Sequence, residues 1–503
     1  MKKDGRNNYI PLVFILLIVV LLFKNNMFSG NLARNLDNKI KLDETKYSVP
    51  VVKDYGTFTT EDYGNGRQLV QFPKMTSFQS PPSSQQLVFP LQYNYTSIEE
   101  ELCTTPEIIE QNPTPGVGQH WPDINGRYIV WHDISNQSAT YTNISGYDLG
   151  LDMIYGTSDD TGPIKVMTNV YSIVGGSGNG LVYPRINSNG LVAFTRGLTI
   201  NTATNQPVVQ LVTCNFYNCQ NTINVIDTVG STLSGGIIWF PHGQFIWHDI
   251  NNNNKMVIAK SNFSLNIRQI IEYDINTGSS QVLYQVPGAT SPLLPNIVGM
   301  DARIDESNLI SWVRVNSPVF GTILYEFYLK PINSINPVLI TTQSGLYYMA
   351  GLLGPPPHAI ASSSTSHNYG NLNFFVYPVA ENNILYWDLK LGVYITTINN
   401  PINIFSNDNR HQLYPRITFN SLFQAPMLVF TVMTPTSMYT QTKIHNNGNN
   451  FVDYKRIIPP PNWPFGLILT EASDFNVVGI LGAAIPSLAG LSPLIVRVAI
   501  SKC

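Results

Sequence analysis

From about residue 115 onward, short apolar runs alternate with clusters of Gly, Asn, Ser and Pro, and the same two-part unit keeps returning. WPDINGRYIVWHDISN spans Trp121 to Asn136, YPRINSNGLVAFTR starts at Tyr183, and WFPHGQFIWHDINN spans Trp239 to Asn252. DARIDESNLISWVRV follows from Asp301, and HQLYPRITFNSLFQAPMLVFTV from His411. Each opens with a short strand or Pro segment, turns, and enters a run with strand character. Aligning the aromatic centres of these runs gives Trp131, Phe194, Trp247, Trp312, Phe375 or Val376, and Phe430. Trp131 and Phe430 stand 299 positions apart, about 60 per step, the spacing of a repeat with loops of variable length. A further run recurs as SGYDLG, IIEYDINTG, LYEFYLKP and ILYWDLKLG, with VLYQV, PVLIT and INIF after it. The unit therefore holds four strands, and the pattern predicts an all-β six- or seven-bladed β-propeller of four-stranded blades.

Six cores are visible, and two sources offer a seventh. One is GRQLVQF, Gly66 to Phe72; the other is the chain's own ends, with VVGILGAAI and PLIVRVAI supplying C-terminal strands. Sharing of the ends closes the ring and places Cys503 near the start of the folded chain. A β-helix or a row of sandwiches fits the same strand density, whereas helical bundles and α/β folds require a 3.6-residue period that is absent after the N-terminus.

The N-terminus departs from this pattern. Lys2, Lys3 and Arg6 precede an uncharged stretch from Tyr9 to Phe23, an expected signal anchor or signal peptide over residues 1–30. Residues 31–110 then read as an extracellular stalk with initial strands, and 111–503 as the propeller closed by terminal strands. Charged residues make up only 12% of the 503, with a net charge of -3, which leaves no basic stripe for nucleic acid. Cys214 and Cys219 in CNFYNC are spaced for a bridge across a tight hairpin, and Cys103 and Cys503 pair if the ends of the folded part meet. Glycosylation sequons stand at Asn94, Asn136, Asn143 and Asn262.

WPDINGRYIVWHDISN followed by YDLGLDMIYGTSDDTG resembles the TolB-like β-propellers of secreted bacterial and archaeal surface proteins. Gln119, Pro122, Ile124, Gly126, Ile129, Val130, Trp131 and Asp133 match the first part of that family's pattern. Asp148, Gly150, Asp152, Gly156, Thr157, Asp159, Asp160 and Gly162 match the second, and Gln412, Pro415 and Ile417 repeat the opening in a later blade. The resemblance implies an extracytoplasmic propeller in a surface-layer, adhesive or assembly setting and implies no activity.

Candidate chemistry is sparse. The insert DLGLDMIYGTSDDTG offers Asp148, Asp152, Asp159 and Asp160 as calcium ligands, because calcium takes hard oxygens from a chain that glycines allow to turn sharply. The two WHDI copies are expected to occupy equivalent strand positions, each tryptophan packed between sheets and each aspartate accepting N–H bonds in a turn. A metal or acid–base site made from His132, Asp133, His248 and Asp249 is the weaker reading, and no catalytic residue is assigned. Asp301, Asp305 and Glu306 are the acids placed to crowd a ring mouth, as a carbohydrate-active enzyme requires. Taken together, these features predict a module displayed outside the cell, anchored by a single pass or secreted, that binds glycans or neighbouring surface proteins. A propeller-type glycoside hydrolase or lyase is the alternative.

Overall fold

The computed structural model describes residues 59–62, 68–71, 101–110, 117–135, 141–171, 182–201, 206–230, 245–262, 267–287, 296–316, 324–332, 334–344, 358–362, 373–381, 386–394, 402–403, 411–420, 425–433, 438–446, 450–460, 463, 467–474, 476–484 and 494–503. The N-terminal segment over 1–30, the sequons at Asn94 and Asn136, and most of the stalk lie outside these residues.

The chain divides into two compact units, Met1–Pro90 and Leu91–Cys503. In the first, Thr59–Asp62 and Gln68–Gln71 pair as an antiparallel hairpin. The second contains seven sheets among the described residues, each built around a meander of consecutive strands. Blade 1 comprises Val117–Asn125, Tyr128–Ser135, Tyr141–Asp148 and Thr161–Tyr171; blade 2 comprises Arg185–Ile186, Leu191–Asn201, Gln206–Asn215 and Asn224–Gly230. Blade 3 runs Phe245–Ile250, Lys255–Asn262, Ile267–Asp274 and Ser279–Pro287; blade 4 runs Asn296–Ile304, Ile310–Asn316, Leu324–Lys330 and Val338–Ser344. Blade 5 holds Ala359–Ser362, Asn373–Glu381, Tyr386–Tyr394 and Ile402–Asn403, and blade 6 holds His411–Asn420, Ala425–Met433, Met438–Asn446 and Asn450–Ile457. Blade 7 has three C-terminal strands, Leu467–Ser473, Asn476–Ala484 and Leu494–Lys502. The first strand of each blade lies against the first strand of the next, and that of blade 7 returns to blade 1. Among the described residues this unit is a seven-bladed β-propeller.

Closure comes from the N-terminal side of this unit. Glu107–Ile108 is the fourth strand of blade 7, antiparallel to Leu494–Lys502, while Glu101–Leu102 adds a parallel fifth strand to blade 6. The hairpin strand Gln68–Gln71 pairs instead with Thr59–Asp62, so of the two sources expected for the seventh blade, the chain ends supply it. Between the two closing strands, Cys103 bonds to Cys503 across a sequence separation of 400, with the Cα atoms 4.6 Å apart. In the chain-entropy description a loop of that length stabilises the fold by about 6 kcal/mol. The second bond, Cys214–Cys219, closes a local turn, for which the same description gives about 2 kcal/mol.

The blades pack through the apolar runs that mark them in the sequence. Trp131, Phe194, Trp312 and Phe430 are fully buried on second strands. Trp247 is also buried, but it lies on the first strand of blade 3, and Ile258 on the second strand is the buried residue in line with Trp131. The two WHDI copies are therefore not equivalent, and the alignment on tryptophan is corrected by one strand.

Turns of the form Ile-Asx join the first two strands of several blades. Asn187 Oδ1 accepts from Asn189 N and Leu191 N at 3.1 and 3.0 Å, Asn251 Oδ1 from Asn253 N and Lys255 N at 3.1 and 3.0 Å, and Asp305 Oδ1 from Ser307 N and Leu309 N at 2.9 and 2.8 Å. These side chains also tie blade to blade. Asn187 Nδ2 donates to Asn251 O at 3.1 Å, and Asn251 Nδ2 donates to Asp305 O at 2.9 Å.

Candidate functional site

The same turn signal locates a ring of seven positions immediately before it, six of them charged. Asp123, Arg185, Asp249, Arg303, Ala359, Arg416 and Glu471 occupy corresponding places on the seven first strands. A register shift precedes the charged residue in blades 1, 4, 6 and 7. Two residues ahead of the ring, Trp121, Tyr183, Asp301 and Tyr414 take φ values of 52°, 37°, 48° and 55°. Such conformations cost non-glycine residues about 1 kcal/mol or more, and a bulge re-aims the following side chain.

Glu471 is the hub. Its Oε1 accepts from Arg185 and Arg303, each at 3.0 Å, and its Oε2 accepts from Arg416 Nε at 2.8 Å. Since Arg303 belongs to blade 4 and Glu471 to blade 7, this contact spans the ring. Arg185 also reaches Asp123 at 3.3 Å, and Arg303 Nε donates to Asp301 Oδ1 at 2.9 Å. Beside the charges, Trp121, Tyr183 and Trp247 pack together with ring centroids 4.4 to 5.8 Å apart. Charged and aromatic side chains thus meet across the centre of the ring.

The electrostatics divide the acids into two kinds. Burial pushes Glu471 up, but Arg303, Arg416 and Arg185 outweigh it and bring its carboxyl to about 2. For Asp301, burial is outweighed by Arg303, Arg416 and His358, and the group falls well below the usual carboxylate range. Burial prevails at Asp123, which rises to about 6 despite Arg185, and it also raises Asp249. Sequence reasoning placed Asp301 near the ring mouth and named Asp249 only within a histidine–aspartate site; it did not find Asp123, Arg185, Arg303, Arg416 or Glu471. The triplets Asp123-Ile124-Asn125, Arg185-Ile186-Asn187, Asp249-Ile250-Asn251 and Arg303-Ile304-Asp305 carry the signal that locates them.

Asp305 and Glu306 do different work from Asp301. Asp305 caps its own turn, while Glu306 accepts from Asn252 N at 2.7 Å and Asn125 Nδ2 at 3.5 Å. The two histidine–aspartate pairs form no shared site. His132 Nε2 lies 2.5 Å from Thr142 Oγ1 within blade 1, and His248 Nε2 lies 3.3 Å from Ala193 O of blade 2. Asp133 does not satisfy a turn as expected; it accepts from Trp131 Nε1 at 2.9 Å, Lys165 Nζ at 2.8 Å and the Ser145 hydroxyl, because its strand is covered on both edges by neighbours. Asp249 accepts from Ile250 N at 3.1 Å and from Ile304 N of blade 4 at 3.1 Å, so it links blades rather than closing its own turn.

Two groupings have the outline of nucleophilic machinery. Ser311 Oγ lies 2.6 Å from His358 Nε2, whose Nδ1 is 3.5 Å from Asp301, and Ser145 Oγ lies 2.8 Å from Lys165 Nζ. Both serines are fully buried. Burial also lowers His358 to about 4, and the carboxylates of Asp133 and Glu110 keep Lys165 above its ordinary value against the opposing effect of burial, so Lys165 holds its proton. Neither serine meets solvent in this packing of the described residues.

The acidic insert lies between the third and fourth strands of blade 1. Asp152, Asp159 and Asp160 each bring a carboxylate oxygen within 4.8 Å of the others. Thr157 Oγ1 stands among them, 3.3, 2.8 and 3.2 Å from Asp152, Asp159 and Asp160. A hydroxyl has one proton for these three acceptors, and the donor set is hard oxygen throughout, which fits calcium. Gly150, at φ 70°, passes so close to Asp159 that a Cβ there would collide with its carboxylate. Asp148 is drawn aside: it pairs with Arg127 at 2.9 Å, accepts the Tyr217 hydroxyl, and receives Gly150 N at 2.9 Å. Of the sequons within the described residues, Asn143 lies in a strand and accepts Asn169 N at 3.1 Å, with Ser145 of the sequon buried, and Asn262 ends the second strand of blade 3.

No family model and no curated protein matches the chain. Solved structures do. The β-propeller domain of the Trilobed protease from Pyrococcus furiosus is 9% identical with a TM-score of 0.42, over 77% of this chain and 94% of that one. A puromycin-hydrolyzing peptidase of Mycobacterium tuberculosis is 11% identical with a TM-score of 0.44, over 80% of this chain and 56% of that one. The GH93 α-L-arabinofuranosidase of Fusarium graminearum is 10% identical with a TM-score of 0.35, over 64% and 93%. The likeness is to the fold alone.

Proposed function

We propose that this protein is an extracellular propeller of TolB-like kind, tethered at or secreted from the cell surface, that serves there as a binding or assembly module for glycans or neighbouring proteins. The observation carrying this reading is the ring centre. Four acids converge there, as an enzyme requires, but Glu471 and Asp301 are held ionised by guanidinium groups, and side-chain contacts span the ring. A carboxylate bound by three arginines is a poor general acid, and an ion-paired cluster of this kind stiffens a scaffold whose exposed faces remain for partners. The two disulfides also suit an oxidising exterior.

A structural calcium ion belongs to the same reading, held by Asp152, Asp159 and Asp160. Calcium added at a hundred times its dissociation constant is expected to raise the unfolding free energy by about 2.7 kcal/mol, and Asp159→Asn with Asp160→Asn should abolish the response. An unchanged unfolding midpoint in calcium and in chelator would remove the ion from the proposal.

The enzymatic reading rests on Asp123, whose carboxyl at about 6 is suited to proton transfer. Incubating the full chain with oligosaccharides and following reducing ends separates the two. Retention of glycan or surface protein without turnover supports the binding module; turnover that disappears in Asp123→Asn would replace it with a carbohydrate-active enzyme.

A further inference from the structure

Tyr217 lies on the turn between the third and fourth strands of blade 2, inside the loop closed by Cys214 and Cys219. It is 53% exposed, yet its ring is fixed on several sides. The hydroxyl donates to Asp148 of blade 1, and Tyr217 N donates to Asn215 Oδ1 at 3.1 Å. Phe216 meets the ring edge-on at 5.1 Å, and Tyr128 does so at 6.4 Å. Arg127 completes the support, 2.9 Å from Asp148 and 4.9 Å over the Tyr128 ring. An aromatic side chain immobilised during folding loses little further freedom when a ligand arrives, so its contact area converts more fully into affinity.

The groups following Tyr217 are amides. Asn218, Gln220 and Asn221 are exposed; Asn221 Nδ2 donates to Asn218 Oδ1 at 2.7 Å, and Gln220 Nε2 donates to Thr168 Oγ1 at 2.5 Å. Each amide uses one end in these contacts, which sets the plane of the other. Arg127 and Asp148 pair with each other, leaving a half-exposed aromatic ring beside uncharged hydrogen-bonding amides.

We propose that Tyr217, together with Asn218, Gln220 and Asn221, forms a platform for a neutral saccharide. A pyranose presents a face of C–H groups and a rim of hydroxyls, which match the ring and the amides respectively. A single tyrosine with three amides is far smaller than the roughly 800 Å² per partner of a stable protein interface, which favours one or two sugar units over a protein surface. The inference rests on the surface-module reading and names its ligand class.

The test titrates the full chain with a panel of neutral tri- and tetrasaccharides, with uronate trisaccharides as the charged counter-set, by calorimetry and ligand-observed NMR. The expected result is binding of a neutral member, with saturation transfer to its C–H protons, weakened on the order of tenfold by Tyr217→Ala. Tyr217→Phe keeps the ring while losing the bond to Asp148, and is expected to retain most of the affinity; it guards against a folding defect in the alanine variant. Saccharide binding that survives Tyr217→Ala in a folded protein would overturn the platform while keeping a glycan-binding module. Binding of none of the panel would also overturn the platform, and retention of a surface protein would then keep the module reading with a different partner.

Discussion

Residues 131–134 and 247–250 spell the same four letters, and the fold uses them differently. In blade 1 the tetrapeptide sits on the second strand, with Tyr128–Ser135 paired on both sides. In blade 3 it sits on the first, with Phe245–Ile250 paired on one side only. Asp133 accordingly gathers an indole, a hydroxyl and an ammonium group within its own sheet, whereas Asp249 joins the arginine-rich ring and receives a backbone N–H from blade 4. Identity of side chains does not specify register; the flanking turn does.

Substitutions at paired positions sharpen this contrast. The largest loss is expected from Trp131→Ala, about 4 kcal/mol by urea unfolding, because the indole is fully buried and its removal leaves a cavity and an unpaired carboxylate oxygen. Next comes Asp133→Asn, at about 2 kcal/mol, since it discharges the partner of Lys165 and replaces one acceptor oxygen with a donor. Smaller for each pH unit is an effect shared by both copies. Burial lowers His132 and His248 to about 3, so the unfolded chain binds protons that the folded chain refuses between about pH 6.5 and 3. Stability is complete above that window and falls with acid; His132→Gln should remove about 1.4 kcal/mol per pH unit from the slope, read from unfolding curves at several pH values. The smallest effect is expected for Asp249→Asn, below about 1 kcal/mol, because burial already disfavours its ionised form and the amide keeps an oxygen for Ile304 N. Equal losses in the two Asp→Asn variants would erase the distinction between the copies.

The blades were legible because β-branched and aromatic runs with Asx turns leave few alternatives, and the closing role of the chain ends followed from a ring's need to cover its edges. The ring of charges was not legible from residue type alone. Asp123, Arg185, Arg303 and Glu471 are distant in sequence and of opposite sign, so nothing local announces that they meet. Weighting tryptophan, the largest side chain, also hid the better marker, the charged-Ile-Asx triplet that precedes the turn. The acidic insert was readable as a unit, but the withdrawal of Asp148 depends on Arg127 and on Tyr217 from the next blade, which spacing within the insert does not encode.

The bond between Cys103 and Cys503 has a mechanical consequence. A pull on the chain from its N-terminal side would otherwise act on Glu101–Leu102 and Glu107–Ile108, two-residue strands held by a few hydrogen bonds in shear or peeling. The bond passes that load at residue 103 to residue 503, so Glu107–Ile108 lies within the closed covalent loop, whereas Glu101–Leu102, ahead of residue 103, still bears the pull. Losing Glu101–Leu102 from blade 6 would therefore leave the pairing that completes blade 7 in place.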